Sequence, residues 1–236
     1  MGLRSVVGRA LDVVDRGNRV RRLRDRFVES RRHRWLRRVS NLIHAGANTG
    51  QEAALYERYG LGVLWIEPDA SVFESLVAHI RPYPKQAARK ALLADVAGRR
   101  CTFHVANNSG ASSSMMNLAE HREIWPGIEF TRSVELVTET LDNVLAEDHR
   151  AYDALVVNTQ GAELLVMKGA VSRLGRLRFI LARVADFNSY EGGATLADTT
   201  AFLGAHGFRP VRKELFARKP DRSGAYYDVL FARRGG

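Results

Sequence analysis

From residue 40 onward, short apolar runs alternate with amphipathic stretches along the chain. Three apolar runs have the length of strands, at residues 41–45, 62–66 and 91–94. Helical patterns separate them over residues 51–59 and 71–79. The second helix is predicted to begin at an N-cap Ser71, with Glu74 three residues later as in a capping box. Successive β-α-β units of this kind predict a parallel sheet that is covered by helices on both faces.

The same alternation continues after a less regular middle. Further strands are predicted at residues 101–105, 133–140, 154–157 and 179–182, and further helices at 164–174 and 196–206. Residues 107–130 are small, polar and rich in loop signals, which predicts an insertion between two strands. Residues 208–215 and 226–232 predict a terminal hairpin.

A basic arm precedes this region. The apolar residues of its first helix recur at one-face spacing: Leu3, Val6, Val7, Ala10, Leu11 and Val14. Residues 1–40 contain thirteen arginines and four acidic residues, a net charge of +9, whereas the other 196 residues carry 23 basic and 22 acidic groups. The chain is therefore predicted to consist of a basic amphipathic helical arm over residues 1–38 and a near-neutral domain over residues 39–236.

Three interpretations of the arm are open. The first is a solvated helix that packs on the domain through its apolar stripe. The second is a helix that lies on an anionic membrane, and the third is a segment that binds nucleic acid. The near-neutral charge of the domain disfavours nucleic acid as a partner, because nucleic-acid binding draws on clustered basic residues.

Composition excludes several classes of protein. With 236 residues, 45% of them hydrophobic, the chain forms a core without a disulfide or a metal. The single cysteine, Cys101, excludes an internal disulfide and argues against structural zinc. No apolar run approaches the roughly 18 residues of a membrane span, and the Arg-rich start lacks the apolar stretch of a secretory signal. A reducing, cytoplasmic compartment is the expectation, and no residue is predicted to bind a metal.

Polar or glycine-rich segments follow three of the predicted strands. The segment from His44 to Gly50 follows the first, and its glycines let the backbone approach a ligand closely. Its G-x-x-x-G spacing differs from the G-x-G-x-x-G of dinucleotide-binding proteins, which disfavours a nicotinamide dehydrogenase. Glu67 ends the second strand, where an acid can accept hydrogen bonds from both hydroxyls of a ribose. The segment from Asn158 to Glu163 follows a later strand, at the edge of the sheet where ligands bind.

The structural interpretation of these acids stays open beside the functional one. Glu67 precedes a proline that starts a helix, as many surface acids do. Glu163 suits the first turn of a helix, where a negative charge stabilises the helix dipole.

Five ordered motifs together resemble the FkbM family of S-adenosylmethionine-dependent methyltransferases. They are IHAGANTGQE at 43–52, WIEPD at 65–69, SSSM at 112–115, TLD at 140–142 and NTQGAELLVMKGA at 158–170. The resemblance extends over about residues 39–233 and does not include the basic arm. It implies a class I methyltransferase fold, which is a seven-stranded, mostly parallel sheet with helices on both faces and a C-terminal antiparallel hairpin.

The resemblance also implies a cofactor, a reaction and a set of site residues. S-adenosyl-L-methionine is the implied cofactor, and the implied reaction is methyl transfer to a hydroxyl of a sugar, glycolipid or natural product. The residues implied to bind the cofactor are Gly46, Ala47, Asn48, Thr49 and Gly50 for its methionine part, Glu67 with Pro68 for its ribose, and Asp95 near its adenine. Asn158 and Gln160 are implied to lie beside the sulfonium and the acceptor.

Departures from the family pattern support a second hypothesis. Many members have Asp where His44 and Asn158 stand, although His is familiar at position 44 in one branch, and many have Glu where Arg183 stands. An amide at position 158 cannot act as a base, and Arg183 brings a cation where an acid is expected. A non-catalytic binding protein with a methyltransferase fold is therefore the alternative, and a nucleic-acid methyltransferase that grips phosphates through the arm is a third hypothesis.

A base near the acceptor hydroxyl would also speed methyl transfer, by about 10²- to 10⁴-fold. The candidates are His44, Glu163 and, from the insertion, His121. Residues 112–114 and the segment around Trp125 are the predicted wall of the acceptor site, with ordinary loop as the alternative.

Overall fold

The structure is a computed structural model that describes residues 32–235. Residues 32–39 contain a short 3-10 helix, Arg34–Arg38, in which Trp35 and Leu36 are buried. Apart from residues 32–38, the predicted arm lies outside the described residues, and its division from the domain stays a prediction. Within residues 32–235, none of the helices has the length and apolar composition that crossing a membrane requires.

Residues 40–235 contain ten strands and seven helices. The strands are β1 Asn41–Ala45, β2 Gly62–Glu67, β3 Gln86–Lys90, β4 Leu92–Leu93, β5 Arg100–Ala106, β6 Phe130–Glu139, β7 Ala154–Val157, β8 Phe179–Ala185, β9 Phe208–Arg218 and β10 Ala225–Arg233. The helices are α1 Ala53–Arg58, α2 Ala70–Ile80, α3 His121–Ile124, α4 Leu141–Val144, α5 Glu163–Lys168, α6 Val171–Leu174 and α7 Leu196–Ala205.

Seven strands form one sheet in the order β3-β2-β1-β7-β8-β10-β9. Strand β10 is antiparallel to both of its neighbours, and every other neighbouring pair is parallel. The predicted seven-stranded, mostly parallel sheet with a C-terminal antiparallel hairpin is therefore confirmed. Strands β1 and β7 lie in the middle of the sheet and are almost entirely buried, as strands covered on both faces must be.

Alternation along β1 sends its side chains to two different layers. Ile43 belongs to the main apolar core, together with Val166 of α5 and Leu203 of α7. His44 faces the opposite layer, where its ring stacks on Trp65 with 4.8 Å between ring centroids. Helices therefore cover both faces of the sheet. The side chain of His44 lies on the face opposite to the main apolar core, because alternate residues of a strand point to opposite faces.

A smaller sheet lies beside the large one. Strand β6 pairs in parallel with β4 and antiparallel with β5. The predicted insertion connects β5 to β6 and contains α3. Backbone hydrogen bonds attach it to residues 188–190 near the end of β8, including one from the His121 N–H to the Ser189 carbonyl at 3.1 Å and an isolated bridge between Leu118 and Tyr190.

The predicted third strand at residues 91–94 is wrong in position. The strand of the large sheet is β3, immediately before that run, and only Leu92–Leu93 pair, in the smaller sheet. Strand β3 carries almost no apolar signal, because its one buried side chain is Gln86. Gln86 accepts a hydrogen bond from the Trp65 ring at 3.0 Å and donates one to the Ala53 carbonyl at 2.9 Å, which satisfies its amide inside the layer.

Two predictions about helices are also corrected. The N-cap of α2 is Asp69, whose carboxylate accepts the backbone N–H groups of Ser71 and Val72, so Ser71 lies inside the first turn. The helix predicted over 164–174 is divided into α5 and α6 around Gly169. A Cβ at Gly169 would overlap the Ala94 carbonyl, so the chain turns where it passes close to that backbone.

Candidate functional site

A cavity of about 380 Å³ opens at the carboxyl edge of β2, β1, β7 and β8. The backbone brings these strand ends together, because the Asn158 N–H donates to the Ala45 carbonyl and the Gly46 N–H donates to the Ile66 carbonyl, each at 3.0 Å. Val157 is in register with Ala182 on β8, so the next residue of each strand, Asn158 and Arg183, also lie side by side. Glu67, Gly46, Asn158 and Arg183 therefore follow one another along the edge, and all four line the cavity.

The loop after β1 can be built only with glycine at position 46. Gly46 has a φ of +77°, and a Cβ there would overlap the carbonyl oxygen of Asn158. Asn48, also in the left-handed region at φ +47°, donates its backbone N–H to the Glu67 carboxylate at 2.9 Å. Its side-chain amide donates to the Ser109 carbonyl of the insertion at 3.1 Å. The loop is thus fixed to the next strand end on one side and to the insertion on the other.

Glu67 is the carboxylate of the cavity. It is only 7% exposed, and its two oxygens accept the backbone N–H groups of Asn48 at 2.9 Å and Asp69 at 3.1 Å. Burial raises the pKa of Glu67 to about 7, although both hydrogen bonds oppose that shift. Because a carboxylate has about four lone-pair positions, each oxygen keeps capacity for a ligand hydroxyl.

Apolar side chains line the part of the cavity next to Glu67. They come from the β2 end, the β4 region, β5 and the insertion: Ile66, Pro68, Leu92, Leu93, Phe103 and Met115. A carboxylate that borders an apolar slot of this kind can hold a ribose and leave room for an aromatic base beside it.

The structure separates the residues predicted to bind the cofactor into two groups. Gly46, Ala47, Asn48, Glu67 and Pro68 line the cavity. The other three, Thr49, Gly50 and Asp95, are not among its lining residues; the Asp95 carboxylate instead pairs with Arg99 at 3.3 Å in a partly exposed position. A role for these three in cofactor binding stays a prediction.

A chain of amide and hydroxyl groups sets the orientation of Asn158. The Tyr190 hydroxyl donates to the Gln160 Oε1 at 2.9 Å, and the Gln160 Nε2 donates to the Asn158 Oδ1 at 3.0 Å. Both amides line the cavity. Since the oxygen of Asn158 is already engaged by Gln160, its NH₂ group is the part that is left to meet a ligand.

Glu163 lies beneath this chain and not on the cavity wall. Its buried carboxylate accepts the backbone N–H groups of Thr159 at 2.7 Å and Gly161 at 3.0 Å, and burial raises its pKa to about 7. Both oxygens are therefore engaged by the loop that carries Asn158 and Gln160. This placement suits the first-turn interpretation, and its predicted role as a base stays a prediction.

His44 lies on the cavity wall with its ring held from two sides. It stacks on Trp65, and its Nδ1 is 3.2 Å from the Tyr56 hydroxyl. Burial lowers the pKa of His44 and raises that of Tyr56, so both side chains are neutral near pH 7. With Nδ1 engaged, Nε2 is the ring nitrogen that remains for chemistry.

Arg183 is balanced by an acid that the sequence did not indicate. Its Nε and Nη2 donate to the two carboxylate oxygens of Asp228 at 2.8 and 3.1 Å. The guanidinium lies over the Phe216 ring, 3.5 Å from the centroid. The cation that departs from the family pattern is therefore neutralised within the fold.

Aromatic side chains enclose the opposite end of the cavity from Glu67. Trp125, from the insertion, lies 5.4 Å from Tyr226 and 6.3 Å from Phe216 between ring centroids. His121 is buried beside them, with Nδ1 2.8 Å from the Tyr226 hydroxyl and Nε2 3.2 Å from the Ser112 hydroxyl. Burial lowers the pKa of His121 to about 4, so the ring is a neutral hydrogen-bonding group.

Sequence reasoning found this wall only in part. Residues 112–114 and Trp125 were predicted to contribute, and Ser112, Ser113 and Trp125 do line the cavity. Phe216 and Tyr226 were missed, because the hairpin that carries them is close to the insertion only in three dimensions. Their signal in the sequence is that of ordinary strand aromatics. Across residues 32–235, no cluster of three His, Cys, Asp or Glu side chains is arranged to hold a metal ion.

Comparisons with known proteins agree with this architecture. The sequence model of a family described as the methyltransferase FkbM domain matches residues 44–210. A curated relative, the 2-O-methyltransferase NoeI of Sinorhizobium fredii, is 25% identical over 160 residues, which are 64% of this chain and 65% of the relative. The crystal structure of methyltransferase FkbM from Methylobacillus flagellatus superposes with a TM-score of 0.51 at 14% identity, and the match covers 82% of this chain and 43% of that one. The chain thus spans less than two thirds of the length of either relative.

Proposed function

This chain belongs to the FkbM methyltransferase family, and from that premise we propose that it is an S-adenosylmethionine-dependent O-methyltransferase for a hydroxyl of a sugar, glycolipid or natural product. One observation carries the proposal: a single cavity joins a carboxylate beside an apolar slot to a neutral compartment of amides and aromatic rings. The name of the curated relative, a 2-O-methyltransferase, supports oxygen as the atom that is methylated.

The first half of the cavity fits S-adenosylmethionine. Glu67 offers its remaining lone pairs to the two ribose hydroxyls, and the apolar slot formed by Pro68, Leu92 and Leu93 accommodates the adenine. The tight backbone turn at Gly46 leaves room for the methionine part close to the strand ends. When bound, S-adenosylmethionine would supply a methyl group on a sulfonium sulfur; transfer in line to the acceptor oxygen would break the S–CH₃ bond and leave the neutral thioether S-adenosylhomocysteine.

The second half aligns the acceptor. Trp125, Phe216 and Tyr226 supply flat apolar surfaces, and the NH₂ group of Asn158 donates to an acceptor oxygen from the strand edge between the two halves. Holding two reactants in the correct alignment lowers a barrier by up to roughly 7–11 kcal/mol. Alignment does not require position 158 to act as a base, so an amide there is compatible with methyl transfer.

We assign the proton of the acceptor hydroxyl to His44. In the tautomer that carries its proton on Nδ1, the ring donates to the Tyr56 hydroxyl and Nε2 would be free to take the proton of the acceptor hydroxyl. The two other candidates are placed less well, because both nitrogens of His121 contact hydroxyl groups and Glu163 is off the wall.

A two-step experiment tests the function. Calorimetry with S-adenosylmethionine measures cofactor binding, and a tritiated methyl group is then followed into glycan, glycolipid and metabolite fractions of the host. We expect saturable binding and label in one fraction, in a form that resists mild base as an ether does. Binding without label in any fraction would favour the non-catalytic alternative, and no binding at millimolar cofactor would remove the proposed methyltransferase.

The basic arm is proposed to bring the domain to an anionic membrane surface. Its thirteen arginines lie within residues 1–40, and each basic residue near such a surface contributes about 1 kcal/mol to binding. A chain that starts at Val39 is expected to bind S-adenosylmethionine as the full chain does and to lose sedimentation with phosphatidylserine vesicles. A full chain that does not sediment with these vesicles would contradict the membrane role and leave the cofactor result unaffected.

A further inference from the structure

Arg183 lies on the wall of the cavity, and its guanidinium is held by the side chains of Asp228 and Phe216. The residue is in β8, directly after Ala182, which is in register with Val157, and Asn158 directly follows Val157 at the end of β7. The Asp228 carboxylate accepts hydrogen bonds from two of its nitrogens. The Phe216 ring lies against the guanidinium, with 3.5 Å between the ring centroid and the guanidinium carbon. The side chain is still 28% exposed, so part of the guanidinium remains accessible from the cavity.

The donors of Arg183 outnumber the oxygens that hold it. A guanidinium carries five N–H groups and no acceptor, and it stays charged at any pH a protein tolerates. One N–H on Nε and one on Nη2 donate to Asp228, which leaves three N–H groups. Donors that are fixed in this way at a cavity wall are suited to bind an oxygen of a ligand.

The surroundings of Arg183 select the charge of that oxygen. Asp228 balances the cation, Asn158 is an amide, and the two nearby imidazoles, His44 and His121, are neutral. An anionic ligand group would therefore gain little from electrostatic attraction, because the Arg183–Asp228 pair has no net charge. A hydroxyl or ether oxygen needs only a hydrogen-bond donor, which an N–H group of Arg183 provides.

We propose that Arg183 is an acceptor-binding residue that orients the acceptor by donating to a neutral oxygen, a hydroxyl or ether, close to the hydroxyl that is methylated. The inference rests on the proposed function and adds to it the residue that selects the acceptor and the chemistry it recognises. Asp228 and Phe216 are positioning residues in this arrangement, because they act on the acceptor only through the guanidinium.

A structural ion pair is the competing explanation, and a double variant separates the two. Arg183→Leu alone would remove the guanidinium that now donates to the buried Asp228 carboxylate, which destabilises a fold for reasons unrelated to the acceptor. Arg183→Leu with Asp228→Leu removes both charges, and apolar replacement of a buried pair is often neutral for stability. If the pair is only structural, the double variant therefore restores both melting temperature and methyl transfer.

The test uses the full chain, tritiated S-adenosylmethionine and the host fraction that wild type labels. For Arg183→Leu/Asp228→Leu we expect a melting temperature and a cofactor Kd close to wild type. We expect the half-saturating amount of the fraction to rise about 10- to 100-fold, because a charged donor is lost. Turnover at saturation is expected to change less than the half-saturating amount does. Arg183→Lys keeps the charge but not the planar fork, so it is expected to recover less than tenfold.

Matched controls give each outcome a meaning. Arg150→Leu/Asp148→Leu removes another ion pair, which lies before β7 at the opposite edge of the sheet, and is expected to leave both constants unchanged. An Arg183/Asp228 double variant with unchanged half-saturation would overturn the inference while the proposed function stands. Inorganic sulfate that competes with the acceptor in wild type but not in this variant would show that Arg183 binds an anion. That result would overturn the proposal that Arg183 recognises a neutral oxygen. A wild type that labels no fraction would overturn the proposed function, and the inference with it.

Discussion

Replacing Glu67 by alanine is expected to weaken S-adenosylmethionine binding about 100-fold or more, the largest loss of affinity that we expect from a single side chain of the cavity. The variant removes two charge-assisted hydrogen bonds to the ribose hydroxyls, each of which contributes about 1.5–3 kcal/mol. It also leaves the Asn48 and Asp69 N–H groups without the carboxylate that now accepts them. Calorimetric titration of wild type and variant measures the effect, and Glu57→Ala, an exposed acid on α1, is the matched control.

The pH dependence of binding separates a ligand contact from a local collapse of the loop. Because burial raises the pKa of Glu67 to about 7, its ionised fraction falls from about nine tenths at pH 8 to about one tenth at pH 6. Wild-type affinity is therefore expected to fall as the pH is lowered through 7, and Glu67→Gln is expected to bind weakly with a flat profile. The same slope in Glu67→Gln would assign the dependence to another group, such as Glu163, whose pKa is also about 7. A dissociation constant for Glu67→Ala within threefold of wild type would contradict the ribose assignment.

The central strands of the sheet were predictable because their own residues have the pattern of buried parallel strands, whatever they pack against. Residues 154–157 are all apolar and residues 41–45 contain the apolar pair Leu42 and Ile43, and the two strands are followed directly by Asn158 and Gly46, as buried parallel strands next to a ligand edge are. Strand β3 was not predictable in the same way. Its buried residue is Gln86, which is stable there only because the Trp65 ring and the Ala53 carbonyl satisfy its amide. Partners more than twenty residues away in sequence cannot be read from a local pattern.

The same distinction applies to the site. Glu67 ends a strand, Gly46 and Asn158 each directly follow one, and the order of a parallel sheet brings such ends to one edge. Arg183 shows what a single sequence does not contain. Its charge looked like a departure that argues against activity, but Asp228, forty-five residues later, neutralises it across the β8–β10 register. Of the two departures that favoured a non-catalytic protein, one is therefore explained by a partner within the fold.

The sequence also did not show that a buried residue behind the cavity wall fixes the loop that forms part of that wall. Glu163 lies in a motif that suggests catalysis, and its carboxylate in fact accepts backbone N–H groups of the loop that carries the two amides. Gln160, which donates to Asn158, has a left-handed backbone with φ +55°, a conformation that its residue type does not indicate. A residue of this kind can be essential for the reaction without contacting a ligand, so loss of activity in a variant does not by itself identify a base.

Gly46→Ala is expected to lower the free energy of unfolding by about 2–5 kcal/mol and to abolish cofactor binding. A left-handed φ in a residue with a side chain costs about 1–2 kcal/mol. The new Cβ would also overlap the Asn158 carbonyl oxygen, and forcing extra atoms into packed structure costs about 1–3 kcal/mol more. Relief of the overlap must move the end of β7 away from the end of β1, which displaces the Asn158 amide from the cavity. Urea unfolding and calorimetric titration measure the two effects.

Gly60→Ala isolates the part of this effect that comes from the close approach. Gly60 has a similar left-handed φ of +69°, but no atom lies within 4 Å of a Cβ built there. This control is therefore expected to lose only the conformational term, about 1–2 kcal/mol, and to keep cofactor affinity. The difference between the two alanine variants then measures how tightly the ends of β1 and β7 are held together at the site. Equal losses of stability, with cofactor binding intact in both, would show that the contact between Gly46 and Asn158 does not shape the cavity.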